Sequence, residues 1–358
     1  MHSRPEGLRN HAVCHIIFNS YMSTERGNRI GWVDAAKGLA ILLVIVGHTV
    51  ESGTFTRNII FSFHIPLFFL LSGYTFRPSA NWADFFYRLK RDAVRLLVPY
   101  VLSGLVIALI KIFYRHLAPL PVLRDVAEAL IWGSGTGDGI HESIGVLWFL
   151  ITLFGARQIV NAVCVLYKND VQDHYVYVIG IISVLGLGIG MFDWNWLIFN
   201  LDVSMAASGF LLAGMEYRRF EESIRRYDRI LFPVCLLIWM YLMKSVGYIE
   251  MSGRWYPELT LGVLEALCGS YCVIRFMEAF CFLTKPASVL KWIGRHSLLL
   301  MCIHAIEDSI FQFWNNLLVN TAVFGRLACN LLILTVLALL ADQMKKRKET
   351  VKGIVKKY

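Results

Sequence analysis

Lys37 and His48 stand eleven residues apart inside an otherwise apolar stretch. In an α-helix that spacing is about 16 Å along the axis and only about 20° around it, so both side chains share one face. An ammonium group holds an anion by charge-assisted hydrogen bonds. An imidazole titrates near neutral pH and can move a proton or briefly carry an acyl group. One helix therefore offers an anion-binding group at one end and an acid–base group at the other. His64, Asp202, His304 and Glu307 also fall inside apolar runs, and Arg88, Arg91 and Arg95 crowd a basic stretch. Ionisable groups at membrane depth are costly and turn to a bundle interior or a water-filled cavity. Singly, each has an ordinary reading: an interhelical hydrogen bond for a histidine, a topology signal for an arginine pair. Their convergence is what points to chemistry.

The elements that must position these groups are membrane helices. Of 358 residues, 56% are apolar and only 17% charged, against about a quarter charged in soluble domains. Ten apolar segments of near-spanning length are predicted, at roughly 36–52, 58–76, 95–115, 145–167, 175–192, 197–216, 230–249, 259–281, 292–314 and 325–341. A short turn over 192–196 makes the fifth and sixth a tight hairpin. Pro66 deprives the Ser62 carbonyl of its usual partner and predicts a kink in the second segment. The fold class is thus all-α, a polytopic membrane bundle of about ten transmembrane helices.

Arginine and lysine crowd alternate gaps, at 77–95, 218–229 and the 345–348 tail. The other gaps hold Arg57, Arg115, Arg124 and Arg254, diluted by Asp125, Glu128, Asp138 and Glu142. By the positive-inside rule both termini are expected in the cytoplasm. Trp148, Trp194, Trp196 and Trp255 fall near the outer ends, as an aromatic belt would. On this topology Lys37, Arg88, Arg91 and Arg95 sit at the inner mouth, the arginines in a loop joining helices 2 and 3. His48, His64, Asp202, His304 and Glu307 lie in the outer half. Residues 1–33 form a cytoplasmic leader, with 1–21 a mis-called start and no secretory signal expected; 34–341 form the membrane domain; 342–358 form a basic cytoplasmic tail. The net charge of +9 follows this loop pattern, so no nucleic-acid partner is expected. Eight scattered cysteines with no CxxC pair support neither a disulfide framework nor a metal site.

Residues 29–48 (RIGWVDAAKGLAILLVIVGH) resemble the first helix of the acyltransferase type 3 family of membrane O-acyltransferases, and more narrowly its fucose 4-O-acetylase-like branch. Lys37 and His48 fit the family's basic residue, ten residues, then histidine. Residues 63–74 (FHIPLFFLLSGY) are similar to its second-helix motif. Arg88 and Arg91 match its Arg-x-x-Arg motif, and 145–150 (GVLWFL) and 293–298 with His304 also resemble family positions. The resemblance covers about 29–340. It implies acetyl-CoA as cytoplasmic donor and a glycan or lipid-linked sugar as acceptor. It makes His48 the essential histidine, and Lys37, Arg88 and Arg91 groups near the CoA phosphates. His64, Asp202, His304 and Glu307 are assigned supporting or substrate-binding roles by their depth. Some members carry a fused soluble hydrolase-like domain; here that step is expected to fall to this chain or a partner.

The expected reaction is O-acylation of a surface or lipid-linked sugar at a bacterial plasma membrane, with His48 as general base or acyl carrier. The competing reading is a transporter or flippase of a glycan-related substrate. Ten helices with buried charges would suit it, but paired half-repeats with broken helices are not visible.

Overall fold

Apolar runs in lipid must close their backbone hydrogen bonds internally, which restricts them to helices. The computed structural model obeys this. It describes residues 29–136, 142–170, 172–191, 197–283, 286–310 and 312–355, with side chains described no further than Met344. Among the described residues every element longer than one turn of backbone is helical. Eight helices are long and apolar enough to cross a membrane, or nine if one bent pair counts as a single span. Large apolar side chains stay exposed around the outside, such as Leu105, Leu109 and Phe113 on one helix and Leu332, Val336 and Leu339 on another. On a multi-pass membrane protein this is the surface that meets lipid.

The chain order begins with α1 (Gly31–Thr49), which carries Lys37 and His48 without a break between them. The expected kink appears as a full break. α2 (Phe55–Phe61) stops, Phe63 takes a non-helical conformation, and α3 (His64–Tyr74) restarts so that Pro66 falls in its first turn, where the missing N–H costs no helical bond. Ser62 Oγ accepts a bond from Trp239 Nε1 at 2.8 Å, so a neighbouring helix stabilises the break.

The arginine-rich stretch differs from expectation. It is not a loop but the first turns of α4 (Trp82–Phe113). Asn81 caps it, its side chain accepting from the Asp84 amide at 2.9 Å, and Asp84 lies in the first turn. Those are strong start signals, and no glycine or proline interrupts the next four turns. Then follow α5 (Pro119–Trp132), α6 (Trp148–Leu166), α7 (His174–Met191), α8 (Leu201–Arg219) and the short α9 (Glu221–Arg226). α10 (Asp228–Ser245) occupies the seventh expected segment, but it is 18 residues long and carries Asp228, Arg229 and Lys244, so it is not among the eight. α11 (Leu259–Leu283) is a full span. The ninth segment divides into α12 (Ala287–Arg295) and α13 (Ser297–Ile310), bent by 73°. α14 (Val319–Val355) closes the bundle.

α8 packs against α3, α6 and α7, and α1 packs most extensively against α12. That last crossing is backbone on backbone. A methyl group at Gly38 would lie 2.1 Å from the Leu290 carbonyl oxygen, and one at Gly294 would lie 1.7 Å from that of Asp34. Small residues at such crossings are how membrane helices gain van der Waals contact without a hydrophobic drive. The crossing fixes the Lys37 end of α1. At the other end Arg57 donates to the Gly47 and Val50 carbonyls at 2.8 and 3.2 Å, satisfying groups that a helix terminus leaves bare. The expected 192–196 turn, the leader before residue 29 with Arg26, and Asp138, Trp194 and Trp196 lie outside the described residues.

Candidate active site

Two cavities open along α1. The first, about 160 Å³, contains Lys37 with Ser72, Asp92, Arg95 and Arg157 among apolar walls. Three cations thus face one carboxylate. Asp92 is buried and holds Arg157 in place, Nε to Oδ2 at 3.0 Å; Arg157 also donates to Ser72 Oγ at 3.2 Å, and its guanidinium lies 5.1 Å from the Phe76 ring centre. Lys37 has no hydrogen bond or ion pair to any described residue. A cationic hollow with an ammonium that no described residue engages has the chemistry to attract an anion.

The second cavity, about 210 Å³, contains His48 and His304, with Lys111, Asp125, Glu142 and Ser309 among its other polar groups. The two imidazole rings are 5.8 Å apart, centre to centre. They are held very differently. His48 is exposed, and among the described residues neither ring nitrogen has a hydrogen-bond partner. His304 is 1% exposed, and its Nδ1 meets Glu307 Oε2 at 3.2 Å. Glu307 Oε2 also accepts from Asn330 Nδ2 at 3.2 Å, and Arg326 Nε lies 3.6 Å from Oε1. A carboxylate only accepts, so Nδ1 carries a proton, and in the neutral ring Nε2 is the nitrogen with the free lone pair. That Nε2 is buried without a partner in the structure.

The cavities share no lining residue, yet they nearly meet. Met301 lines the first and His304 the second, on the same helix; Leu150 and Val146 are divided likewise. Three or four helical residues rise roughly 5 Å. The α1 residues facing inward over that interval, Ile41, Val44 and Ile45, are buried.

Comparison with known families identifies the family of the chain. The profile of the family described as Acyltransferase domain matches residues 30–341. The chain belongs to that family. No curated protein and no solved structure matches it. It is a multi-pass membrane acyltransferase.

In this acyltransferase Lys37, His48, His304 and Glu307 come together as two groups, one per cavity. The others are placed elsewhere. Arg88 is engaged with Asp84 at 2.9 Å and with the Arg77 carbonyl at 3.0 Å, outside both cavities. Arg91 is half-exposed and reaches Asp92 at 3.2 Å, so it touches the Lys37 site only through that carboxylate. His64 donates Nδ1 to the Ile60 carbonyl at 2.7 Å and packs on Phe61 at 4.8 Å between ring centres, a ring that also lies 6.2 Å from His48. Asp202 forms a buried bidentate pair with Arg254, at 2.6 and 3.1 Å, away from the His48 cavity. Arg254 continues to Asn200, and Asn200 to Thr152, at 2.6 and 2.7 Å. This chain of bonds runs through Asn200, where Phe199 and Asn200 take consecutive left-handed conformations, φ 59° and 54°, that the clash of Cβ with the following carbonyl oxygen otherwise disfavours.

The sequence reading passed over Arg157, a lone cation in the middle of the apolar run 148–166, which the rule applied to His48 would have flagged. Arg326 and Asn330, four residues apart on α14, were not expected at the site; both reach Glu307, which in turn holds His304. Asp125 and Glu142, expected as loop charges, become polar walls around His48 together with Lys111, which falls inside the third predicted segment.

Proposed function

We propose that the chain is an O-acetyltransferase that moves an acetyl group from acetyl-CoA to a hydroxyl of a sugar in a surface or lipid-linked glycan, at a bacterial plasma membrane. In this reading the helix Asp228–Ser245 and the bent pair each count as one crossing, giving ten spans with both termini in the cytoplasm. The Lys37 cavity faces the cytoplasm and takes CoA phosphate; Arg95 and Arg157 replace Arg88 and Arg91 as its direct partners. The pantetheine arm, rather than the nucleotide, spans the interval to His48. The acceptor enters from the other face, where hydroxyl groups, being both donors and acceptors, suit walls made of Asp125, Glu142, Lys111 and Ser309. His48 then acts as general base on the hydroxyl or as acyl carrier. The fucose 4-O-acetylase-like branch is the nearest fit to the first two helices.

The observation that carries this reading is the pair of cavities on one helix, cationic at Lys37 and imidazole-lined at His48, divided by a single turn. The test is thiol release from acetyl-CoA, with label transferred to membrane glycan, by the reconstituted protein. Lys37→Ala is expected to raise KM for acetyl-CoA about tenfold or more with kcat little changed, because it removes binding rather than chemistry. Unchanged affinity for acetyl-CoA sinks the donor assignment. Glycan export without acetyl-CoA consumption replaces the enzyme with a transporter.

A further inference from the structure

Two imidazoles in one cavity, one loose and one clamped, do not need to share a role. Glu307 fixes the tautomer of His304, and Asn330 and Arg326 fix Glu307. The result is a carboxylate–imidazole pair whose free nitrogen is buried, unpartnered and on the ring that faces His48. This is the arrangement by which a carboxylate orients a base and stabilises the imidazolium it becomes. His48 lacks any such orienting partner among the described residues, and it is the more accessible of the two.

Resting on the acetyl-transfer reading above, we propose that the two histidines divide the reaction: His48 takes the acetyl group, and His304, positioned by Glu307, is the base for the acceptor hydroxyl. In the first step a His48 ring nitrogen bonds to the thioester carbonyl carbon. The C–S bond breaks, CoA leaves as its thiolate, and the sulfur takes up the proton that the acylated imidazole gives off. In the second step the acceptor hydroxyl passes its proton to His304 Nε2 as its oxygen bonds to the acetyl carbon. The C–N bond to His48 breaks and returns its electron pair to the ring, which regains a proton from the His304 imidazolium. The sum is one thioester and one alcohol converted to one ester and one thiol. His304 is a catalytic residue in this scheme, whereas Glu307, Asn330 and Arg326 are positioning residues.

The two steps can be read separately. Exchange of label between free CoA and acetyl-CoA reports the first; transfer of labelled acetyl to membrane glycan reports both. Membranes are prepared from a strain deleted for the gene and complemented with the full chain or a variant, so the native acceptor is present. His304→Gln and Glu307→Gln are expected to keep exchange within about threefold while losing about 10²–10⁴ of transfer, the usual contribution of a general base. His48→Ala should lose both. Imidazole added to His304→Gly should restore part of the transfer, which a purely structural histidine would not permit. Three results overturn the proposal: transfer by the wild type with no exchange, transfer preserved in His304→Gln, or exchange and transfer lost together in His304→Gln and Glu307→Gln without imidazole rescue. Failure of the wild type to consume acetyl-CoA at all strikes the acetyl-transfer reading instead.

Discussion

The two ends of α1 handle charge in opposite ways. At Lys37 the charges are of one dominant sign: Asp92 answers Arg157 and Arg91, while the Lys37 ammonium has no hydrogen-bond or ion-pair partner among the described residues. At His48 the charged groups form a closed set behind the site. Arg326 bonds to Asp308 and approaches Glu307, and Glu307 turns to His304. The first end has unspent attraction, which is what binding an anion requires. The second end has spent its attraction on holding one ring still, which is what proton transfer requires. A third set, Asp202 with Arg254, is buried on both sides: two bonds from the guanidinium hold the carboxylate, and the same guanidinium holds Asn200.

Perturbing each set in turn should separate these roles. The largest effect is expected for His48→Ala, a loss of transfer of at least about 10²-fold with affinity for acetyl-CoA kept within twofold, checked by transfer kinetics beside CoA binding. Equal loss of binding would mean that the two ends are not separate. Next comes Arg157→Ala, which removes a cation from the proposed anion site and leaves the buried Asp92 with Arg91 alone. Acetyl-CoA affinity should drop about tenfold or more, and Asp92→Ala added to it should recover thermal stability but not affinity. If affinity returns as well, Arg157 serves the fold alone. Asp202→Ala should cost stability rather than chemistry: about 3–5 kcal/mol for an orphaned buried partner, seen as a lower unfolding temperature in detergent, with both KM values unchanged. A selective rise in acceptor KM would return Asp202 to the substrate site. The smallest effect is expected for Arg88→Ala, less than about twofold in acetyl-CoA KM, since an exposed ion pair contributes little.

Much of this was legible in the sequence where the physics is local. Lys37 and His48 share a helix face by arithmetic alone, and the spacing of His304 and Glu307, three apart, already predicts their contact. The break at Ser62–Phe63 follows from Pro66. What failed was either non-local or outweighed by another signal. Asp202 and Arg254 are 52 residues apart, so depth flagged the carboxylate while its partner sat in a stretch read as a loop. Residues 82–95 were read as loop because arginine clusters suggest one, although Asn81 and Asp84 announce a helix. Arg157 was lost among apolar neighbours. The crossing between Gly38 and Gly294 needs two distant segments to touch and leaves no periodic trace.

The buried turn of Ile41, Val44 and Ile45 also bears on the cell that houses the protein. Hollows entering a membrane from opposite faces would short-circuit it if they joined through water, draining protons and voltage. Apolar constrictions exclude water and ions, and on α1 the buried residues between the two cavities are apolar over about one helical turn. In the proposed arrangement, with one reactant entering each hollow, such a barrier would let the two come close without opening a water path for ions.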